Sequence, residues 1–252
     1  MDLETFFRQN PRVALGFSGG VDSSYLLYAA VKAGAEIGAY YIKTAFQPEF
    51  ECEDAKGVCR ELGVALTVLT MDIMAEPEVV KNSEDRCYYC KRTLFGALSN
   101  RAKADGYPVL LDGTNASDDI SDRPGFRVLQ ELSVLSPLKE CGLTKPAIRS
   151  LTKDAGLFIW NKPAYACLAT RVKDSPLTRK ALQRAERAEE IIATLGFSDF
   201  RIRTTGDEGL MQVTTSQYRQ AVESWDEINT KLSPLFADGV KLDPKTRKEE
   251  AY

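Results

Sequence analysis

The sequence predicts an α/β protein, a parallel, doubly wound sheet followed by a smaller C-terminal α+β unit. Three observations support this fold class. Short apolar runs alternate with segments of helical periodicity as far as about residue 112, the first run ends in glycine-rich sequence, and the pattern changes after about residue 170. Alternating strands and helices indicate right-handed crossovers, and sheets of this kind bind ligands at the carboxyl ends of their strands.

The first unit contains a regular succession of predicted elements. Residues 12–17 form an apolar run, and residues 23–33 follow with apolar side chains at helical spacing. These patterns predict a strand and then a helix, joined by the glycine-rich segment. The next predicted elements are a strand over 37–42, a helix over 49–62, a strand over 65–69, a helix over 88–104 and a strand over 109–112.

The second unit begins after an irregular stretch between Lys162 and Pro176. We place the boundary near residue 170, which gives a first domain over 1–170 and a second over 171–252. Eighty residues are enough for a small domain of its own. The second domain is predicted to contain a helix over 178–195, strands over 200–204 and 210–213, a helical stretch over 215–236 broken near Pro234, and a last strand over 240–242.

Composition excludes several classes of protein. The chain has no histidine, so it offers no Ser-His-Asp triad, no histidine base and no histidine metal ligand. Its formal net charge of −3 argues against a large nucleic-acid-binding surface. No run approaches the length of a membrane span, and six cysteines are too few for a disulfide framework. We therefore expect a cytoplasmic protein.

The strongest local signal is the segment Ser18-Gly19-Gly20-Val21-Asp22-Ser23-Ser24, which we call the glycine-rich loop. Adjacent glycines allow close approach of an anion, and the following helix presents free N–H groups. The segment is neither a Walker A loop nor a Gly-x-Gly-x-x-Gly motif. It matches the nucleophile elbow formally, but a serine nucleophile there would need a histidine. The segment therefore predicts a phosphate cradle.

The glycine-rich loop resembles the pyrophosphate loop of the N-type ATP pyrophosphatases, or PP-loop superfamily. In that superfamily, the loop holds the pyrophosphate of ATP while a substrate oxygen attacks the α-phosphorus. An ordered set of further motifs is similar to the ATP-dependent sulfur transferase LarE family. These are Arg86-Cys-Tyr-Tyr-Cys-Lys91, Asp112-Gly-Thr-Asn115 with Asp118 and Asp119, Arg123-Pro-Gly125, Ser136-Pro-Leu138, Lys145, Ile148-Arg149, Lys162-Pro163, Ala166-Cys-Leu-Ala-Thr-Arg171 and Arg201-Ile-Arg203.

The resemblance implies that the glycine-rich loop binds ATP, with Asp22 helping to hold Mg²⁺. Thr44 lies just past the second predicted strand, where we expect the adenine. Arg123 belongs to the same expected ATP-binding set. The implied reaction is the adenylylation of a substrate carboxylate, after which sulfur displaces AMP and yields a thiocarboxylate.

Three cysteines are candidates for the sulfur chemistry. Cys87 and Cys90 form a Cys-x-x-Cys motif, and Cys167 lies in the predicted loop between the two units. Buried thiols, a redox disulfide and a zinc site are the alternatives for the pair. One branch of LarE-like proteins carries a [4Fe–4S] cluster on three cysteines, whereas the other gives up the sulfur of the residue matching Cys167. The presence of all three cysteines favours the cluster.

Two arginines are the candidate anion anchor. Arg201 and Arg203 alternate on one predicted strand, so both guanidinium groups can converge on one phosphate. The resemblance implies that they bind a substrate phosphate, with Arg171 and Glu189 in the same site. Departures from the family pattern are Thr205, Gln212 and the segment Lys173-Asp-Ser175.

The implied substrate is a pyridinium biscarboxylate mononucleotide, the precursor of a nickel-pincer cofactor. The resemblance also suggests a homo-oligomer. Two other functions fit the same loop. One is a tRNA thiolase, which the absence of a basic surplus disfavours. The other is a non-catalytic sensor of ATP or of an iron–sulfur cluster.

Overall fold

The computed structural model describes residues 1–119, 124–174 and 176–248. Contacts within this chain define two compact units. The first comprises Met1–Val79 and Glu84–Ala164, and the second comprises Val80–Ser83 and the described residues from Tyr165 onward. The division by contacts thus falls at Tyr165, whereas the boundary near residue 170 stays a prediction for the functional domains. No helix in the described ranges is long and apolar enough to cross a membrane.

The first unit is built on a four-stranded parallel sheet, which confirms the predicted fold class. Its strands lie in the order β3-β2-β1-β4. Strands β2 and β3 are added in turn on one side of β1, and β4 is then added on the other side of β1. The strand order therefore reverses between β1 and β4. The strands are β1 (Arg12–Gly16), β2 (Glu36–Lys43), β3 (Leu66–Thr70) and β4 (Val109–Leu111).

Helices cover both faces of this sheet. Alternate residues of β1 belong to two separate cores, because Leu15 packs with Leu27 of α2 whereas Ala14 packs with Leu98 of α5. Short 3-10 turns lie at Ile73–Ala75 and Phe158–Asn161. The helices are α1 (Leu3–Gln9), α2 (Val21–Lys32), α3 (Glu49–Glu61), α4 (Pro77–Val80), α5 (Arg86–Ala104), α6 (Pro124–Glu131), α7 (Pro137–Glu140) and α8 (Lys145–Asp154).

The second unit is a mixed three-stranded sheet with helices, as predicted. Strand β5 (Phe200–Thr205) runs antiparallel to β6 (Glu208–Val213), and β7 (Val240–Leu242) runs parallel to β6. The helices are α9 (Arg179–Thr194), α10 (Thr215–Glu223) and α11 (Trp225–Leu232), with 3-10 turns at Leu168–Thr170 and Ser233–Leu235. The helical stretch predicted over 215–236 is therefore two helices, because the backbone leaves the helical region at Ser224.

The two faces of β5 differ in character. Ile202 is fully buried in the core of the second unit together with Met211 of β6. Arg201 and Arg203 lie on the opposite face, because successive side chains of a strand alternate. The register places Arg201 opposite Gln212. We call the side of the sheet that bears these arginines the arginine face.

Candidate functional site

The glycine-rich loop follows β1 directly and turns into α2. Gly19 has a φ of 70°, a backbone conformation that favours glycine. A Cβ at Gly19 would lie 2.9 Å from atoms of Ala55 in α3. Gly20 is the N-cap residue of α2 and has no side chain with which to cap the helix. Its backbone N–H donates to Ser18 Oγ at 3.3 Å, and its carbonyl accepts from Ser23 Oγ at 3.2 Å. The amino end of α2 therefore has no capping side chain from its N-cap residue, which suits a phosphate cradle.

Asp22 lies in the first turn of α2, where Lys145 at the start of α8 reaches it. The Lys145 ammonium Nζ donates to Asp22 Oδ2 at 2.6 Å. Burial raises the pKa of Asp22, although Lys145 opposes this shift and Asp118 adds to it. Lys145 is further fixed by its backbone N–H, which donates to Ser117 Oγ at 2.9 Å. The ion pair thus joins α2, α8 and the loop after β4.

The loop after β4 closes the other side of the cradle. A Cβ at Gly113 would lie 3.2 Å from the backbone nitrogen of Ser23, so the two loops are in close contact. The buried Asp112 accepts hydrogen bonds from the Thr114 backbone N–H and from Ser136 Oγ at 2.7 Å. Asp112 therefore shapes this loop through protein partners. The cradle lies between β1 and β4, where strand order reverses.

The chemistry of the cradle fits Mg²⁺ and a pyrophosphate group. Asp22 Oδ1 and Ser24 Oγ are buried and have no hydrogen-bond partner among the described residues. Buried polar atoms normally have a partner, so such atoms at a helix start indicate a ligand position. Ser18 Oγ and Ser23 Oγ lie 3.1 Å apart in the same loop. Carboxylate and hydroxyl oxygens suit Mg²⁺, which usually binds together with substrate phosphates.

The two remaining predicted ATP residues are Thr44 and Arg123. Thr44 is buried just past the end of β2, and its Oγ1 donates to Gln47 Oε1 at 2.8 Å. It also accepts from the Phe46 N–H at 3.0 Å, so its hydroxyl organises this turn. Thr44 is at the carboxyl edge of the sheet, as expected. Arg123 lies outside the described residues.

In the second unit, Glu189 of α9 lies at the centre of a buried charged cluster. Its Oε1 accepts from Arg171 Nε at 2.6 Å and from the Ile202 backbone N–H at 3.0 Å. Its Oε2 accepts from the Tyr165 hydroxyl at 2.6 Å. The side chains of Arg171 and Glu189 are only 2% and 7% exposed. The structure therefore brings Arg171 and Glu189 together as a buried ion pair, in which both carboxylate oxygens of Glu189 accept hydrogen bonds from the protein.

Arg201 is buried beside this pair. Its Nη1 donates to the Phe200 carbonyl at 2.6 Å and lies 3.4 Å from Asp199 Oδ1. Burial, with the nearby Arg171 and Arg247, lowers the pKa of Arg201 to about 10. The half-buried Arg203 donates to Gln212 Oε1 at 2.7 Å. Burial is the largest cause of this lowered pKa, and the nearby carboxylates of Glu189 and Asp199 oppose it.

The three candidate sulfur residues belong to different units. Cys87 is exposed and Cys90 is partly buried, and both lie in the first turns of α5. Cys167 belongs to the second unit, is partly buried, and directly precedes the 3-10 turn Leu168–Thr170. Within residues 1–119, 124–174 and 176–248, no three Cys, Asp or Glu side chains are grouped so as to hold a metal ion. Cys52 and Cys59 are buried in the core of the first unit.

Comparisons with known proteins show which families and proteins this chain is similar to. A family model described as queuosine biosynthesis protein QueC matches residues 12–83, which include the glycine-rich loop. The uncharacterized protein slr1717 of Synechocystis sp. is 32% identical over 225 residues, covering 88% of this chain and 84% of the relative. The pyridinium-3,5-bisthiocarboxylic acid mononucleotide synthase of Lactiplantibacillus plantarum is 28% identical over 235 residues, covering 92% of this chain and 85% of that enzyme.

The chain belongs to the LarE family. Like the other members of the PP-loop superfamily, it uses ATP, and it is an ATP-dependent sulfur-transferring enzyme. A more distant relative is the tRNA-specific 2-thiouridylase MnmA of Pseudothermotoga lettingae, 26% identical over 60% of this chain and 54% of that protein. Membership of the LarE family confirms the resemblance drawn from the ordered motifs.

Two residues, one in each unit, could not be given a role from the sequence. Lys145 is a member of the motif set, but it lies 123 residues from Asp22, and no periodicity connects them. Tyr165 is an isolated aromatic residue two positions before Cys167. Its ring lies 4.5 Å from the Arg171 guanidinium carbon and 5.3 Å from that of Arg201. Its proximity to Cys167 in the sequence was the only available signal.

Proposed function

We propose that this LarE family member adenylylates a carboxylate of a small mononucleotide and converts it to a thiocarboxylate. The observation that supports this most is the cradle at the switch point, where buried oxygens of Asp22 and Ser24 lack partners among the described residues. Such a cradle holds phosphates with a divalent cation. The family's sulfur transfer supplies the second half of the reaction.

In the first step, a carboxylate oxygen of the substrate attacks the α-phosphorus of ATP. The bond from the α-phosphorus to the bridging oxygen breaks, and pyrophosphate leaves with Mg²⁺. We assign the pyrophosphate to the glycine-rich loop and the cation to Asp22. Lys145 pairs with Asp22, and we assign to it the stabilisation of the negative charge that develops on the leaving pyrophosphate. The product is an acyl adenylate, whose AMP is a good leaving group.

In the second step, a sulfur nucleophile adds to the activated carbonyl and AMP leaves. We assign this sulfur to Cys167, in one of two forms. In the first form, Cys167 would help to hold a cluster, which would supply sulfide. In the second form, the Cys167 thiolate itself attacks and forms a thioester. In the second form, loss of the Cα proton breaks the Cβ–S bond, which leaves dehydroalanine and a thiocarboxylate.

For the source of sulfur, we propose a [4Fe–4S] cluster held by Cys87, Cys90 and Cys167. Three thiolates are a suitable donor set, and one iron would remain open to carry an additional sulfide. Cys87 and Cys90 are three residues apart on a helix and so share one face. The sacrificial use of Cys167 is the alternative, and it requires only that residue.

The proposed acceptor is a pyridinium biscarboxylate mononucleotide, consistent with the name of the Lactiplantibacillus plantarum relative, a pyridinium-3,5-bisthiocarboxylic acid mononucleotide synthase. Arg201 and Arg203 on the arginine face would bind its phosphate, since guanidinium groups form charge-assisted, bidentate hydrogen bonds with phosphate oxygens. Arg171 and Glu189 remain predicted members of this site. We further propose that the enzyme acts in the cytoplasm, in nickel-pincer cofactor synthesis, and as a homo-oligomer.

The test is single-turnover sulfur transfer to this acceptor, followed by mass spectrometry of acceptor and protein. Cys167→Ala should abolish thiocarboxylate formation, whereas Cys141→Ala, the matched control, should preserve it. Full transfer by Cys167→Ala would refute both forms of the second step. Iron and acid-labile sulfide in anaerobically purified protein then separate the two forms. About four irons per chain support the cluster, whereas metal-free protein that becomes one H₂S lighter supports sacrifice.

Thiolation of tRNA is the second candidate function, favoured by the similarity to the tRNA-specific 2-thiouridylase. The same assay distinguishes it when unmodified tRNA replaces the mononucleotide. Binding of tRNA that weakens steeply with salt, together with sulfur in the tRNA, would favour this candidate. Tight ATP binding without turnover on any acceptor would instead favour a sensor.

A further inference from the structure

The segment that carries Cys167 is held at both ends by one carboxylate. We call residues 165–171 the cysteine loop. At its start, the Tyr165 hydroxyl donates to Glu189 Oε2 at 2.6 Å. At its end, Arg171 Nε donates to Glu189 Oε1 at 2.6 Å, with Arg171 Nη2 3.5 Å from Oε2. Glu189 therefore closes the cysteine loop across its two ends.

The same carboxylate also fixes the cysteine loop to β5. Glu189 Oε1 accepts the backbone N–H of Ile202, the residue between Arg201 and Arg203. At the last residue of the loop, the Arg171 carbonyl accepts a hydrogen bond from the Thr204 N–H at 2.8 Å. The attachment is thus made on the strand that forms the arginine face.

Hydrogen bonds continue from this attachment to the backbone of Cys167. Arg171 Nη1 donates to Thr170 Oγ1 at 2.8 Å. That hydroxyl in turn donates to the Cys167 carbonyl at 2.8 Å, beside the Thr170 N–H at 2.9 Å. Cys167 is therefore linked to Glu189 by three successive hydrogen bonds, through the side chains of Arg171 and Thr170. Arg201 lies near the start of the cysteine loop, with its guanidinium carbon 5.3 Å from the centroid of the Tyr165 ring.

A buried ion pair of this kind is weak support for stability, because apolar residues of similar volume would do as well. The specific effect of this ion pair is geometric, since the start of the cysteine loop, its end and strand β5 all donate hydrogen bonds to the Glu189 carboxylate. We propose that Glu189 is a positioning residue for Cys167, holding the cysteine loop in one geometry relative to the arginine face. The inference rests on the proposed function only in taking Cys167 as the residue that handles sulfur.

The experiment measures alkylation of Cys167 by iodoacetamide in the full chain, purified anaerobically and freed of any bound iron with a chelator, with peptide mass spectrometry as the readout. Cys141, partly buried in the first unit, is the internal reference. We expect Glu189→Gln to raise the ratio of Cys167 to Cys141 labelling about tenfold, because loss of a charge-assisted hydrogen bond shifts a local opening equilibrium by about that factor. Glu190→Gln is the matched control, since Glu190 is the next residue and pairs with Arg187 at the surface.

Tyr165→Phe removes only one of the two attachments and should give a smaller increase. If Glu189→Gln does not fold, Tyr165→Phe alone tests the proposal. In a single-turnover reaction, Glu189→Gln should lower thiocarboxylate formation more than pyrophosphate release, whereas a smaller fraction of folded enzyme would lower both equally. A labelling ratio equal to the wild type in Glu189→Gln, or in Tyr165→Phe if that variant alone folds, would overturn the proposal. Labelling needs neither ATP nor acceptor, so failure of the proposed reaction is a separate result.

Discussion

The glycine-rich loop and the arginine face are both suited to anions, but they satisfy their polar atoms differently. In the loop, the buried Asp22 Oδ1 and Ser24 Oγ have no partner among the described residues. On the arginine face, Arg201 and Arg203 each donate to a protein oxygen. The loop is thus shaped around a ligand that completes it, whereas the arginine face is already arranged by protein contacts. Substitutions should therefore affect catalysis at the loop and acceptor recognition at the face.

The largest expected effect is that of Asp22→Asn on ATP turnover. Loss of the carboxylate removes the proposed cation ligand, and we expect pyrophosphate release to fall by about 100-fold or more. Asp105→Asn is the control, because Asp105 lies just past α5 in the same unit and pairs with Arg101. Wild-type turnover in Asp22→Asn would show that the cradle does not bind the cation through this residue.

A smaller effect is expected from Lys145→Met. The variant loses the ammonium group that neutralises Asp22, so we expect the KM for ATP to rise about tenfold, the value of one lost charge-assisted contact. Lys153→Met, at the other end of α8, serves as the control because Lys153 lies over the ring of Trp160. An unchanged KM for ATP, with the magnesium dependence of the wild type, would show that Lys145 does not contribute to ATP binding.

On the arginine face, Arg203→Gln should weaken acceptor binding without affecting ATP. We expect the KM for the mononucleotide to rise about tenfold, with the KM for ATP unchanged, because one charged phosphate contact is lost. The exposed Arg219→Gln on α10 is the control. Equal changes in the KM for the mononucleotide and the KM for ATP would show that the arginine face does not act on acceptor binding alone.

The smallest expected effect concerns the backbone of the loop. Gly19 and Gly63 both have positive φ, but their surroundings differ. A Cβ at Gly19 would lie 2.9 Å from atoms of Ala55, whereas a Cβ at Gly63 would meet no atom of the described residues within 4 Å. We therefore expect Gly19→Ala to destabilise the protein by about 1–3 kcal/mol more than Gly63→Ala. Thermal unfolding of the two variants gives this difference directly. Equal melting temperatures would show that α3 can move away from the loop.

Much of the first unit follows from local patterns. The strand over 37–42 is observed as Glu36–Lys43, because its apolar run is bounded by charged residues. The helix predicted from Tyr88 begins instead at Arg86, since helix ends carry weak periodic signals. The helix at 137–140 was not predicted, because four residues are too few to show an amphipathic repeat. The ten-residue helix at 145–154 was not predicted either, although it is amphipathic.

The site was predictable only in part, for a physical reason. The glycine-rich loop is a contiguous segment with its own conformational requirements, so its residues signal its chemistry. The Lys145–Asp22 pair and the Glu189 cluster depend on contacts between distant segments. Tyr165 shows the difficulty most clearly, because a single aromatic residue beside Cys167 has no pattern that distinguishes a positioning role from packing.

In the proposed mechanism, ATP cleavage and sulfur transfer are two halves of one reaction on one acceptor. The most direct measurement quantifies pyrophosphate, AMP and thiocarboxylate in the same anaerobic single-turnover reaction, with and without the biscarboxylate mononucleotide. We predict that pyrophosphate release requires the acceptor and that each thiocarboxylate formed is matched by one AMP and one pyrophosphate. Pyrophosphate release that is indifferent to the acceptor, or that proceeds without sulfur entering it, would contradict this mechanism.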